Sequence, residues 1–187
     1  MNININNNLK IEIDKIINLY KQKNFRDALI LSNKVIEKDK NIPFLLNLNG
    51  LINLSLEKWH NAIIVFKKAL DADDKFVEAY NNIGVAYSHI GDEKKAVENY
   101  TLAIRLKKDY ANGYNNLASH YDDLGQYSEA IMNYNYALKF NPENLNAQNN
   151  LIHLLNYFNP KKSDDNSIVK ANFLIKNIKT DISILKH

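Results

Sequence analysis

A spacing of 34 residues constrains this chain more than any other feature. In residues 111–144, ANGYNNLASHYDDLGQYSEAIMNYNYALKFNPEN, Tyr114, Leu117, Ala118 and Tyr121 make one apolar stripe at helical spacing. Tyr127, Ala130, Tyr134 and Ala137 make a second, Gly125 marks a turn between them, and Phe140 and Pro142 close the unit. Moving back 34 residues returns the same grammar in Tyr80, Ile83, Gly84, Tyr87, Gly91, Ala96, Tyr100, Ala103 and Leu106. The next step gives Leu46, Gly50, Trp59, Ala62, Phe66 and Ala69, and the one before it Leu19, Phe25, Ala28, Ser32 and Val35. A repeat of this length predicts an all-α array of stacked hairpins, since a hairpin alone cannot bury its apolar face.

These residues resemble the tetratricopeptide repeat (TPR) family. Its pattern asks for an aromatic at repeat position 4, Leu and Gly at 7 and 8, Tyr at 11, Gly at 15, Ala at 20, an aromatic at 24, Ala at 27 and Pro at 32. Residues 111–144 follow it apart from Ala118 at position 8, and residues 77–110 carry Lys108 in place of the final Pro. The resemblance spans residues 9 to 158 and implies a right-handed α-solenoid of about five helix-turn-helix hairpins, the last irregular. Small residues at positions 8, 20 and 27 are expected to let the paired helices approach closely, with the large side chains filling the space between hairpins. The tyrosines therefore read as core.

The expected organisation is one continuous array. Residues 1–8 form an Asn-rich flexible tail, 9–42 a degenerate first repeat, 43–76 the second, 77–110 the third and 111–144 the fourth. Residues 145–187 form an irregular fifth, with a loop insertion over 159–166. There Ile168, Ala171, Ile175 and Ile178 repeat the second-helix spacing, and Ile182 and Leu185 continue the stripe. This closing helix reads as a cap over the end of the stack, with a self-association seam as the alternative.

Composition excludes several functions. Cys is absent, which removes disulfides, thiolate metal sites and cysteine nucleophiles. No run of 18 apolar residues and no secretory pattern occurs, so neither a membrane span nor a signal peptide is expected and the chain reads as cytoplasmic. The sequons at Asn53 and Asn99 fall inside expected helices and are set aside. The net charge of +3 divides into mildly basic ends and a mildly acidic middle, and no Arg-rich stripe or stacking platform favours nucleic acid. His60, His89, His120, His153 and His187 lack metal-ligand spacing, and no phosphate loop, serine elbow or carboxylate dyad appears. No metal, cofactor or catalytic residue is expected.

Function must then lie in surface positions. The resemblance implies that first helices line a concave face through repeat positions 2, 5, 6, 9, 12 and 13. Position 6 holds Asn82, Asn116 and Asn150, position 5 holds Asn81, Asn115 and Asn149, and position 2 holds Glu78, Asn112 and Asn146. The position-6 series is similar to the asparagine ladder of O-GlcNAc-transferase-type TPR arrays, where such side chains hold the backbone of an extended peptide. A primary amide offers a donor and an acceptor together, which suits a peptide unit. Two blander readings stand beside this one. Asn is abundant throughout the chain, and a position-6 Asn can simply bridge adjacent helices.

Leu48 and Asp14 interrupt the series in the second and first repeats. Ser88, His89, Ser119, Asp122, Asp123, His153, Asn156 and Tyr157 complete the candidate groove, and the Asp pair favours a basic or hydroxyl-rich guest. The Lys and Asn with which some family members clamp a terminal carboxylate are replaced here by Ile13 and Ile17. The sequence thus reads as a non-catalytic scaffold for a protein or peptide partner. The alternatives are a self-associating module and the recognition arm of a larger transferase-type enzyme.

Overall fold

In the computed structural model the described residues are 7–157, and they form nine helices and no strand. The chain divides into two compact units, one ending at Lys108 and the other beginning at Asp109. The first holds three hairpins: α1 (Asn7–Lys21) with α2 (Phe25–Lys38), α3 (Pro43–Ser55) with α4 (Trp59–Ala72), and α5 (Val77–His89) with α6 (Glu93–Leu106). The second holds α7 (Ala111–Asp123) paired with α8 (Tyr127–Phe140), and α9 (Leu145–Tyr157) packed on α8. First helices start at Pro43, Val77, Ala111 and Leu145, which reproduces the sequence period. α1 begins at Asn7, inside the stretch expected to be tail, because Asn is tolerated in a first turn whose amides lack intrahelical partners. The loop insertion and the helix expected over 168–185 lie outside the described residues.

Each hairpin turns through one geometry. Lys23, Glu57, Gly91 and Gly125, all at repeat position 15, adopt left-handed backbone with φ of 60°, 57°, 77° and 71°. The amide of the following residue then reaches back to a helical carbonyl, as Asn24 to Leu19 O at 2.9 Å and Gln126 to Tyr121 O at 2.8 Å. Asn24 and Asp92 also cap the helices that follow, accepting from the Asp27 and Lys95 amides. The turn is fixed by this backbone closure, so glycine is favoured there without being obligatory.

The cores follow the expected size alternation. Ala28, Ala62, Ala69, Ala96, Ala103, Ala130 and Ala137 are fully buried. Gly50 and Gly84 lie against the rings of Phe66 and Tyr100, so closely that a Cβ on Gly84 would fall 2.7 Å from Tyr100 Cδ1. The aromatics are not uniformly core. Tyr134 is fully buried, whereas Tyr136 and Phe140 stay partly exposed and flank Tyr114 with ring centroids 5.2 and 5.6 Å away.

One junction departs from the repeat pattern. At positions 7, 11 and 24, which call for Leu, Tyr and an aromatic, the α2–α3 contact carries Asn49, Asn53 and Ser32, all buried. Asn49 Nδ2 donates to Ser32 Oγ and Asn33 Oδ1, each at 2.8 Å, and Asn53 Nδ2 donates to Asn49 O and Oδ1, each at 2.9 Å. A hydrogen-bonded polar cluster replaces the usual apolar plug, and its mutual bonds offset the desolvation of the amides.

Candidate functional site

In the first unit the expected rung belongs to a chain of amides. Asn82 Nδ2 donates to Asn47 Oδ1 of the preceding hairpin at 2.9 Å, and Asn82 Oδ1 accepts from Asn81 Nδ2 at 3.3 Å. Asn81 is buried, Asn82 half-buried and Glu78 exposed. Asn82 is therefore a bridge between adjacent first helices, and its amide still has one N–H and one oxygen lone pair to offer. Asn47 takes the acceptor role one position before Leu48, a partnership that position-by-position reading did not reveal.

In the second unit the same local pair recurs. Asn115 Nδ2 donates to Asn116 Oδ1 at 3.3 Å, matching the Asn81–Asn82 pair to within the same distance. Asn115, Asn116 and Asn150 are half-buried, whereas Asn112, Asn146 and Asn149 are exposed. Asp122 is half-buried at the end of α7 and Asp123 exposed beside it. Burial pushes the Asp122 carboxyl above the usual carboxylate range, Asp123 adds to this, and His153 opposes it. Asn156 and Tyr157 close α9.

The Tyr134 hydroxyl brings several of these groups together from behind. It projects from α8 toward Ser119, Asp122 and Asp123 of α7 and Asn150 of α9. Burial raises its pKa to about 12, and the two carboxylates add to the rise. Asn150 and Ser119 pull it down, although neither meets the hydroxyl in well-formed hydrogen-bond geometry. Sequence reading placed Tyr134 in the core, which is correct for its ring and silent about its hydroxyl.

Elsewhere, His89 stacks on Trp59 with centroids 4.1 Å apart and planes 5° from parallel, so its exposed ring already packs against α4. Ser88 is half-buried near it. His120 is buried within α7. Among the described residues, no group of His, Cys, Asp or Glu side chains converges as metal ligands, and no helix is long and apolar enough to cross a membrane.

The tetratricopeptide repeat family model matches residues 77–110 and 111–144. These two segments are tetratricopeptide repeats. Solved structures extend the TPR likeness to the fold of the remaining hairpins. A crystal structure of MamA shares 22% identity over 89% of this chain and 95% of its own, with a TM-score of 0.65. The first TPR of Spaghetti (RPAP3), bound to the HSP90 peptide SRMEEVD, shares 24% over 62% of this chain and 91% of its own, with a TM-score of 0.57. The APC/C hetero-tetramer Cut9-Hcn1 gives a TM-score of 0.68 at 20% identity, covering 77% of this chain and 29% of that one. The hairpin array is therefore TPR-like throughout the described residues. No curated protein matches the chain significantly.

Proposed function

We propose that this chain is a non-catalytic, cytoplasmic scaffold that holds an extended peptide segment of a partner protein on the face lined by its first helices. The observation that carries this reading is the repeated amide pair, Asn81–Asn82 in one unit and Asn115–Asn116 in the other, with 3.3 Å bonds in both. Each pair fixes the orientation of the position-6 amide, which lowers the entropy lost on binding, and Asn82 keeps one N–H and one oxygen lone pair for a guest. The peptide held by the Spaghetti TPR supports peptide binding by a fold of this kind. The guest here is of a different sort, because Ile13 is buried and Ile17 half-buried where a carboxylate clamp would need Lys and Asn. Asp122, whose charge is disfavoured by burial, suits a guest carrying a basic or hydroxyl group at that point.

The test is capture of a partner from the cell's own lysate, read by mass spectrometry. The parent chain is compared with Asn82→Ala and with an Asn116→Ala, Asn150→Ala double variant, each checked for helix content. A partner held by the parent and lost by the folded double variant supports the assignment. Equal retention by all three chains overturns it.

A further inference from the structure

Helices α2 and α4 both pack on α3, and between them lies an open cleft of about 280 Å³. Its floor is the buried polar cluster, where a Leu and two aromatics would otherwise sit. Asn49 is engaged at both ends of its amide, since both N–H groups donate and its Oδ1 accepts from Asn53. Asn53 is different. It is only 3% exposed, its Nδ2 is spent on Asn49, and its Oδ1 receives no hydrogen bond from any described residue. An amide oxygen that opens onto a cleft and meets no donor among the described residues can take an N–H from a ligand.

The rim supplies the complementary half. Lys58, whose backbone N–H binds Asn53 O at 2.9 Å, is the only ionised group lining the cleft and makes no ion pair among the described residues. Asn33 keeps its Nδ2 available, because only its Oδ1 is used by Asn49, and exposed Asn61 stands across from it. Ile64, half exposed at 54%, forms an aliphatic wall. An acceptor at the floor, amide donors and one cation at the rim, and an apolar wall fit a peptide N–H followed by a carboxylate.

We propose that this cleft binds a short, carboxylate-bearing peptide segment, its N–H on Asn53 Oδ1 and its carboxylate on Lys58 Nζ. The site lies between second helices and is independent of the first-helix face.

The test uses the full chain, isotope-labelled, and follows the side-chain amide resonances of Asn33, Asn49 and Asn53. The probes are an acetylated, amidated Ala-Asp-Ala tripeptide, its Ala-Asn-Ala counterpart, acetylated tri-alanine with a free carboxyl end, and sodium acetate alone. The acidic tripeptide should shift those resonances and bind about fivefold tighter than the Asn peptide, the upper range for a partly exposed ion pair. Lys58→Gln, at an exposed position, should erase that preference, while Asn116→Ala should leave it intact. Tighter binding by the free-ended peptide would assign the carboxylate to a chain terminus, and tighter binding by the Asp peptide to a side chain. The proposal is overturned if acetate alone reproduces the shifts, if Lys58→Gln changes nothing, or if no probe moves these amides at millimolar concentration.

Discussion

Asn82 Nδ2 meets Asn47 Oδ1 at 2.9 Å, joining two first helices through residues one repeat and one position apart. Asn47 is only 7% exposed, so its oxygen depends on this donor. Asn82→Ala should destabilise the chain by about 1–2 kcal/mol, the cost of leaving a buried acceptor unmet. Asn47→Leu combined with Asn82→Ala should recover part of that loss. Urea unfolding followed by circular dichroism checks both, and a neutral Asn82→Ala would remove the structural role.

The glycines at position 8 respond to ring contact. Gly50→Ala drives a methyl into the Phe66 ring, and Gly84→Ala places one 2.7 Å from Tyr100 Cδ1. Overpacking of about 1–3 kcal/mol should exceed the gain of up to about 1 kcal/mol from better helix propensity. Both variants should melt earlier than the parent, Gly50→Ala the more so. Phe66→Leu added to Gly50→Ala should restore part of the loss.

At position 15 the direction reverses. Lys23 and Glu57 hold left-handed backbone at φ 60° and 57°, which disfavours a residue with a Cβ by roughly 1–2 kcal/mol. The larger unfolded-state freedom of glycine returns roughly half of this. Lys23→Gly and Glu57→Gly should each raise stability by about 0.5–1 kcal/mol. Thermal melts of the two variants test it.

Trp59 is the only tryptophan, and the His89 ring covers its face at 4.1 Å. Trp59 emission should therefore move to the red in His89→Ala, where the indole face is opened to water, and stay unchanged in His60→Ala. Emission unchanged in His89→Ala would show that the stacked pair does not form in solution.

Tyr134 makes the stability depend on alkaline pH. Its folded pKa of about 12 exceeds the ordinary 10.0, so the unfolded chain releases this proton first as pH rises. The neutral hydroxyl's contribution is full below about pH 10 and is lost between about 10 and 12, on the order of 2 kcal/mol. Burial moves Tyr114 and Tyr121 in the same direction. Denaturant midpoints should fall from pH 9 to 11 in the parent and fall less in Tyr134→Phe.

The fold was legible because its signal recurs. Ala96, Ala103, Ala130 and Ala137 could be assigned to close helix contacts from their register alone, and all four are fully buried. What escaped was chemistry between repeats. The period locates Asn82 on a helix, but the acceptor that meets it is Asn47, one register position away, a pairing set by how neighbouring helices pack. The departures Ser32, Asn49 and Asn53 stood in the sequence as breaks in the pattern. Their joint meaning needed the geometry that brings α2 and α3 together. The Tyr134 hydroxyl was hidden likewise, because hydrophobic periodicity records the ring and not where its oxygen ends.

The polar cluster between α2 and α3 also bears on the order in which the array comes apart. Beside an apolar cluster that includes Ile16, Val35, Leu45 and Ile52, this seam places Ser32 at the position that Tyr100 and Tyr134 fill in later repeats, with Asn49 and Asn53 against it, and contacts in a repeat array are made only between neighbours. The first hairpin can thus detach while α3 to α6 remain folded, and amides in α1 and α2 should exchange with deuterium well before those of α5. Ligand seated in the cleft would grip both sides of that seam, so its presence would be recorded as slowed exchange in α2.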